Sequence, residues 1–252
     1  MLRALYSSAS GMESQQMNLD VIANNLANVN TTGFKKAKIE FQDLLYQTKR
    51  AAGSESGPGT QVPTSLQVGH GARPVSTAKI FTAGEIMSTG ERLDLAIHGN
   101  GFFKVTLADG TNAFTRDGGF KLDSTGQIVT SDGLPVTSFA GVTIGPEATN
   151  VSISQTGVVS VTQNGTTSTA GSLVLSRFAN PAGLENIGAN LYRETPASGT
   201  EQTGEPANAG MGTVQQGYLE LSNVKVVEEM VNLIKAQRAY EINSKAIQAA
   251  DE

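Results

Sequence analysis

Cysteine and tryptophan are both absent from the 252 residues. Without cysteine there is no disulfide framework, no thiolate metal site and no cysteine nucleophile. Histidine is scarce: His70 and His98 both read as turn or surface residues. Long apolar runs are lacking as well. Nothing approaches the ~20 apolar residues of a membrane span, so no direct membrane insertion is expected. The first ten residues are interrupted by Arg3, Tyr6 and three serines, which leaves no core for a cleaved secretory signal. Charge is also sparse. Charged residues make up 16% of the chain and the formal net charge is −5, which speaks against a nucleic-acid partner.

Catalytic patterns are missing too. Gly99-Asn100-Gly101 begins like a dinucleotide fingerprint, but strand residues follow where a helix is required. Asp123-Ser124-Thr125-Gly126 lacks the later ligands of a calcium loop, and no serine stands in a nucleophile elbow. Glu228 and Glu229 open a helix, where its dipole explains them. The chain is therefore expected to be no enzyme and to carry no cofactor or metal.

Two apolar stripes are present instead, one at each end. Leu5, Met12, Leu19 and Leu26 fall seven apart, with Ile22 and Val29 on the same face. That period marks an amphipathic helix, ending at Asn30-Thr31-Thr32-Gly33 with the glycine in the left-handed C-terminal position. At the far end Val226, Leu233, Tyr240 and Ile247 are also seven apart, with Met230 between them and Val227 and Ile234 widening the stripe. A second helix should start at the Ser222-Asn223 cap pair. Two apolar seams need a common partner, and the simplest is each other. Further surface is then left for neighbouring copies.

The stretch between the helices changes character. Phe41, Leu44 and Leu45 suggest a short helical segment. Residues 53–73 are rich in glycine, proline and serine, with Val62, Leu66 and Val68 as the only anchors; the expectation is an extended arm that docks on something. From residue 75 the period becomes alternating, as in Leu93, Leu95, Ile97 and in Phe103, Val105, Leu107. Turn signals follow at Asp109-Gly110, Asp117-Gly118-Gly119, Ser124-Thr125-Gly126, Asp132-Gly133, Thr156-Gly157 and Asn164-Gly165, the pattern of an antiparallel β domain. The expected fold is α+β: paired N- and C-terminal coiled-coil helices with an inserted antiparallel β domain. The expected division is an assembly helix at 1–34, a connector with the arm at 35–74, a β domain at 75–197, a return segment at 198–221 and a second assembly helix at 222–252.

Four segments carry a resemblance. NNLANVNTTGFK at 24–35 resembles the N-terminal signature of the bacterial flagellar rod and hook protein family, and VEEMVNLIKAQRAYEINSKAIQAAD at 227–251 its C-terminal one. LDLAIHGNGFFKV at 93–105 and FTRDGGFKLDSTGQIV at 114–129 resemble the family's β domain. DLLYQT at 43–48, TQVPTSLQVGHGARPV at 60–75 and QGYLELSNV at 216–224 are most similar to its distal rod members. Family members usually continue past Glu252.

The resemblance implies a structural subunit that stacks helically into a rigid hollow shaft spanning the periplasm and passing torque to the hook. It implies the terminal helices and Val62, Leu66 and Val68 as contact residues. It also implies further partners: other rod proteins and the hook protein at its ends, surrounding ring proteins, and the type III export apparatus, which uses no cleaved signal. A proximal rod or hook component is the alternative within the family. A secreted β-rich adhesin is the alternative outside it, suggested by the polar, glycine-rich middle. A cell-wall hydrolase would need a carboxylate or histidine cluster that the sequence lacks.

Overall fold

Helix α1 spans Leu2–Ala27 and helix α2 spans Val226–Asp251 in the computed structural model, which describes residues 2–57, 60–139, 141–145, 148–163, 165–208 and 210–251. Each holds 26 residues, or roughly 39 Å at 1.5 Å per residue. Everything between them is β-strand, short 3-10 turn or loop, and every strand pair is antiparallel.

The chain separates into two units. The first comprises Met1–Ala27, Ala37–Lys79 and Lys225–Glu252. Within it α1 and α2 pack against one another, and a two-stranded ribbon completes the unit. The ribbon climbs through β1 (Ala37–Asp43), β2 (Tyr46–Arg50) and β3 (Glu55–Gly57), then returns through β4 (Thr60–Gln61), β5 (Leu66–Gly69) and β6 (Ala72–Lys79). Pairing is nested: Ala37 opposite Lys79 at the root, Tyr46 opposite Gly69 midway, Glu55 opposite Gln61 near the tip. Residues 53–73 are thus the upper part of a long hairpin. The helical spacing of Phe41, Leu44 and Leu45 misled, because Ile39 faces inward while Phe41 and Leu45 stand exposed.

The second unit comprises Asn28–Lys36 and Ile80–Val224. Its central sheet runs in the order Glu185–Gly188, Leu191–Arg193, Asn112–Thr115, Phe103–Thr106. A three-stranded meander of Ala148–Ile153, Val158–Gln163 and Thr166–Ser172 packs beside smaller pairs. The main core gathers Leu95, Phe103, Val105, Val159, Leu173 and Leu175, all almost fully covered. A second, aromatic core joins Phe102, Phe114, Phe178 and Tyr192, with Phe81 at its edge.

Most turn signals hold. The Gly110, Gly126, Gly133 and Gly157 amides each close a turn on the carbonyl three residues back, at positive φ. Asn164 of the Asn164-Gly165 pair lies outside the described residues. Asp117-Gly118-Gly119 differs. A Cβ on Gly118 would stand 1.7 Å from the Leu95 carbonyl oxygen, so this glycine serves close backbone approach.

Both helix ends depart from expectation. α1 stops at Ala27, and Gly33, at φ +66°, is no helix cap. A Cβ there would meet the Asp117 nitrogen at 2.4 Å, because residues 28–36 are built into the β unit. Asn223 caps nothing either. Its Oδ1 accepts the Lys36 amide at 2.7 Å, and its Nδ2 donates to the Ile80 carbonyl at 2.8 Å.

Candidate assembly interface

Contacts between the two helices include small and polar side chains. A Cβ on Gly11 would come 2.9 Å from Asn243 Nδ2, so α2 crosses α1 closely there. At the other end Asn25 Nδ2 donates to Glu229 Oε2 at 3.4 Å. Position rises along one helix as it falls along the other, so the pair is antiparallel. Asn25 is 2% exposed and also grips the ribbon root: its Nδ2 donates to the Ala37 carbonyl at 2.8 Å, and its Oδ1 accepts the Ala37 amide at 2.9 Å. One amide side chain thus behaves like a single residue of β-ladder. Serines complete the inner face. Ser14 Oγ donates to the Ala72 carbonyl at 3.4 Å, and a Cβ on Gly71 would collide with Ser10 Oγ at 2.0 Å.

The sequence-derived contact residues sit differently. Of these on α1, Ile22 is buried; Leu5, Met12, Leu19 and Leu26, with Val29 just beyond the helix, are half-buried. On α2 Leu233 and Ile247 are half-buried, while Val226, Met230, Ile234 and Tyr240 are exposed, as are Val227 at 75% and Ile242 at 66%. Buried positions on α2 are Ala236 and Glu229. Sequence reasoning followed size and hydrophobicity and so passed over Gly11, Ser14, Asn25, Glu229 and Ala236. The available signal was small and polar residues recurring within helices that otherwise carry large apolar ones.

On the ribbon Val62 is covered within its own hairpin. It accepts the Gly53 amide at 2.8 Å and donates to the Ser54 carbonyl at 3.0 Å. Leu66 and Val68 are exposed, together with Leu45, Tyr46 and Val75. The Tyr46 ring lies over Gly69, where an added Cβ would meet it at 3.2 Å.

Charge is buried in the second unit. Glu220 accepts Lys35 Nζ and the Gly84 amide on one oxygen, and Arg116 lies 3.4 Å from the other. Burial holds Lys35 below its ordinary lysine range, partly offset by Glu220. Tyr192, buried beside this cluster, is pushed up to about 12. Thr32 Oγ1 donates to Asp117 at 2.8 Å and Asn190 Nδ2 to the Thr32 carbonyl at 3.0 Å. The Asn28–Lys36 segment is therefore bonded into the second unit through Thr32.

Large apolar side chains left exposed along α2 and on the ribbon suit a structural subunit. Family models agree. Residues 5–35 match the flagella basal body rod protein family, 96–161 the D1 domain of the flagellar hook protein FlgE/F/G family, and 215–252 the C-terminal region of the flagellar basal body rod FlgEFG proteins. The flagellar basal-body rod protein FlgG of Borreliella burgdorferi (strain B31) is 51% identical, the match covering 100% of this chain and 96% of that protein. FlgG of Bacillus subtilis (strain 168) is 44% identical over 100% and 96%. FlgF of Caulobacter vibrioides (strain CB 15) is 36% identical over 94% and 89%. The chain belongs to the flagellar basal-body rod protein family, whose members are structural proteins.

Proposed function

We propose that this chain is a distal-rod subunit that stacks helically into a stiff hollow shaft and passes torque to the hook. The observation that carries the reading is the inverted dressing of α2, with Ala236 and Glu229 covered within the chain and Val227, Ile234 and Ile242 left open. Covering one large aliphatic side chain contributes about 1.5–3 kcal/mol. Several per copy, repeated around a tube, are ample to drive polymerisation. The distal assignment leans on identity, 51% to FlgG against 36% to FlgF.

On this reading α1 and α2 form a coiled-coil layer that continues from copy to copy, and residues 75–197 form the β domain. The ribbon lies across a neighbouring copy through Leu66 and Val68 and braces the shaft against bending. Other rod proteins and the hook protein cap the stack, ring proteins surround it in the periplasm, and a type III apparatus exports it. Electron microscopy of purified protein at rising concentration tests assembly: tubes are expected, and a monomer at every concentration would defeat it.

A further inference from the structure

A cavity of about 400 Å³ opens in the second unit and none of the assembly reasoning uses it. Its size is within the range of small-ligand sites. Phe81, Phe102 and Phe178 form apolar walls, and Arg116 and Arg177 supply two guanidinium groups. The lining contains no carboxylate. Arg116 is 4% exposed and held rigidly. Its Nη2 donates to the Gly99 carbonyl at 2.7 Å, its Cζ sits 5.3 Å from the Phe102 ring centre, and Glu220 lies behind it. Its Nε is buried without a hydrogen-bond partner. Arg177 is half-exposed and donates to Gln202 Oε1 at 3.0 Å; it has no ion-pair partner among the described residues. Two cations in a partly apolar hollow form an unusual feature on a chain of net charge −5.

We propose that this cavity is a carboxylate receptor, filled in the assembled state by an Asp or Glu side chain of a second copy of this chain. The occupant follows from complementarity. A guanidinium presents paired donors in the plane that a carboxylate accepts, and aromatic walls strengthen the bond by excluding water. Arg177 makes the direct contact, with the Asn100 and Gln202 amides at hand, while Arg116 supplies fixed positive charge at the base. The acidic copies that stack beside one another provide carboxylates at high local concentration. The identity of the occupant rests on the assembly reading; the chemistry of the cavity does not.

Two measurements separate these parts. Nuclear magnetic resonance of the dilute full chain titrated with benzoate should show saturable shifts centred on Phe102 and Phe178. Arg177→Gln should weaken binding at least tenfold with the remaining spectrum unchanged, as suits a half-exposed side chain. Absence of saturable binding would mean a water-filled hollow and would overturn the receptor. For the occupant, a photo-crosslinking residue replaces Ala179 at the rim, and isotopically mixed copies are assembled and digested. Crosslinks to an Asp- or Glu-bearing peptide of the other copy are expected. Crosslinks confined to one chain, beside intact benzoate binding, would leave a site for free carboxylates only and overturn the occupant. If no tubes form, the assembly reading falls, and with it the occupant, while the titration still decides the cavity.

Discussion

At the scale of single residues, Glu220 carries the largest consequence. It faces two cations and a backbone amide in a site that water does not reach. Removing one partner of a buried ionic group typically costs about 3–5 kcal/mol, because the remaining charges lose compensation. Glu220→Gln should lower stability by that amount in chemical denaturation, and a loss under about 1 kcal/mol would show the cluster to be better solvated than its burial implies. Tyr192 gives a pH signature. Burial favours its neutral form, so its contribution is complete below an ordinary tyrosine value near 10 and is lost as pH rises through about 12. Spectrophotometric titration of the native protein should show Tyr192 ionising late, beside Tyr46, which its hydrogen bond with Asp43 also raises, and Tyr192→Phe should remove the Tyr192 step. None of this cluster was legible in the sequence. Lys35, Arg116 and Glu220 are far apart along the chain, and only tertiary closure brings them together.

Among the elements, α2 and the ribbon make opposite demands. α2 exposes Val227, Ile234 and Ile242, while Gly11 and Asn25 of α1 meet it closely. Ile234→Asp should therefore leave the monomer folded, changing its stability by less than about 0.5 kcal/mol, while abolishing tubes, since burying an unpaired carboxylate in an apolar contact is prohibitive. Circular dichroism beside electron microscopy checks both halves; unfolding would mean that Ile234 belongs to the chain's own core. A two-stranded ribbon is marginal in water without a covering surface. Deleting residues 57–69 should remove its upper part and give curved or polymorphic tubes, whereas straight tubes as stiff as the parent would refute the brace. The elements differed in legibility for a physical reason. Helical period and turn glycines are local, so α1, α2 and most hairpins were readable. The ribbon was not, because most of its side chains are exposed and its strands carry no sustained alternation. The inner helix face was hidden because close approach selects small side chains, which hydrophobic patterning ignores.

For the whole molecule, the two units make different claims on a neighbour. The β unit has its own cores. The helical unit buries far fewer apolar side chains: among the described residues, Ile22, Ile39, Val62 and Ala236. In dilute solution, amides of α1 between Asn18 and Leu26 should therefore exchange with solvent far faster than those of Phe103–Thr106, and slow down on assembly. Equal protection in monomer and tube would contradict this division.

The bond between Asn25 and Glu229 joins residues 204 positions apart. A chain emerging with its N-terminus first, from a ribosome or through a narrow pore, releases α1 long before α2 exists to meet it. The intervening β unit draws on local turns and can close in the meantime. On the proposed assembly reading, the surface that polymerises is thus the last part of the molecule to be completed. The fold would then act as a clock, a subunit becoming competent to join its neighbours only once α2 has met α1.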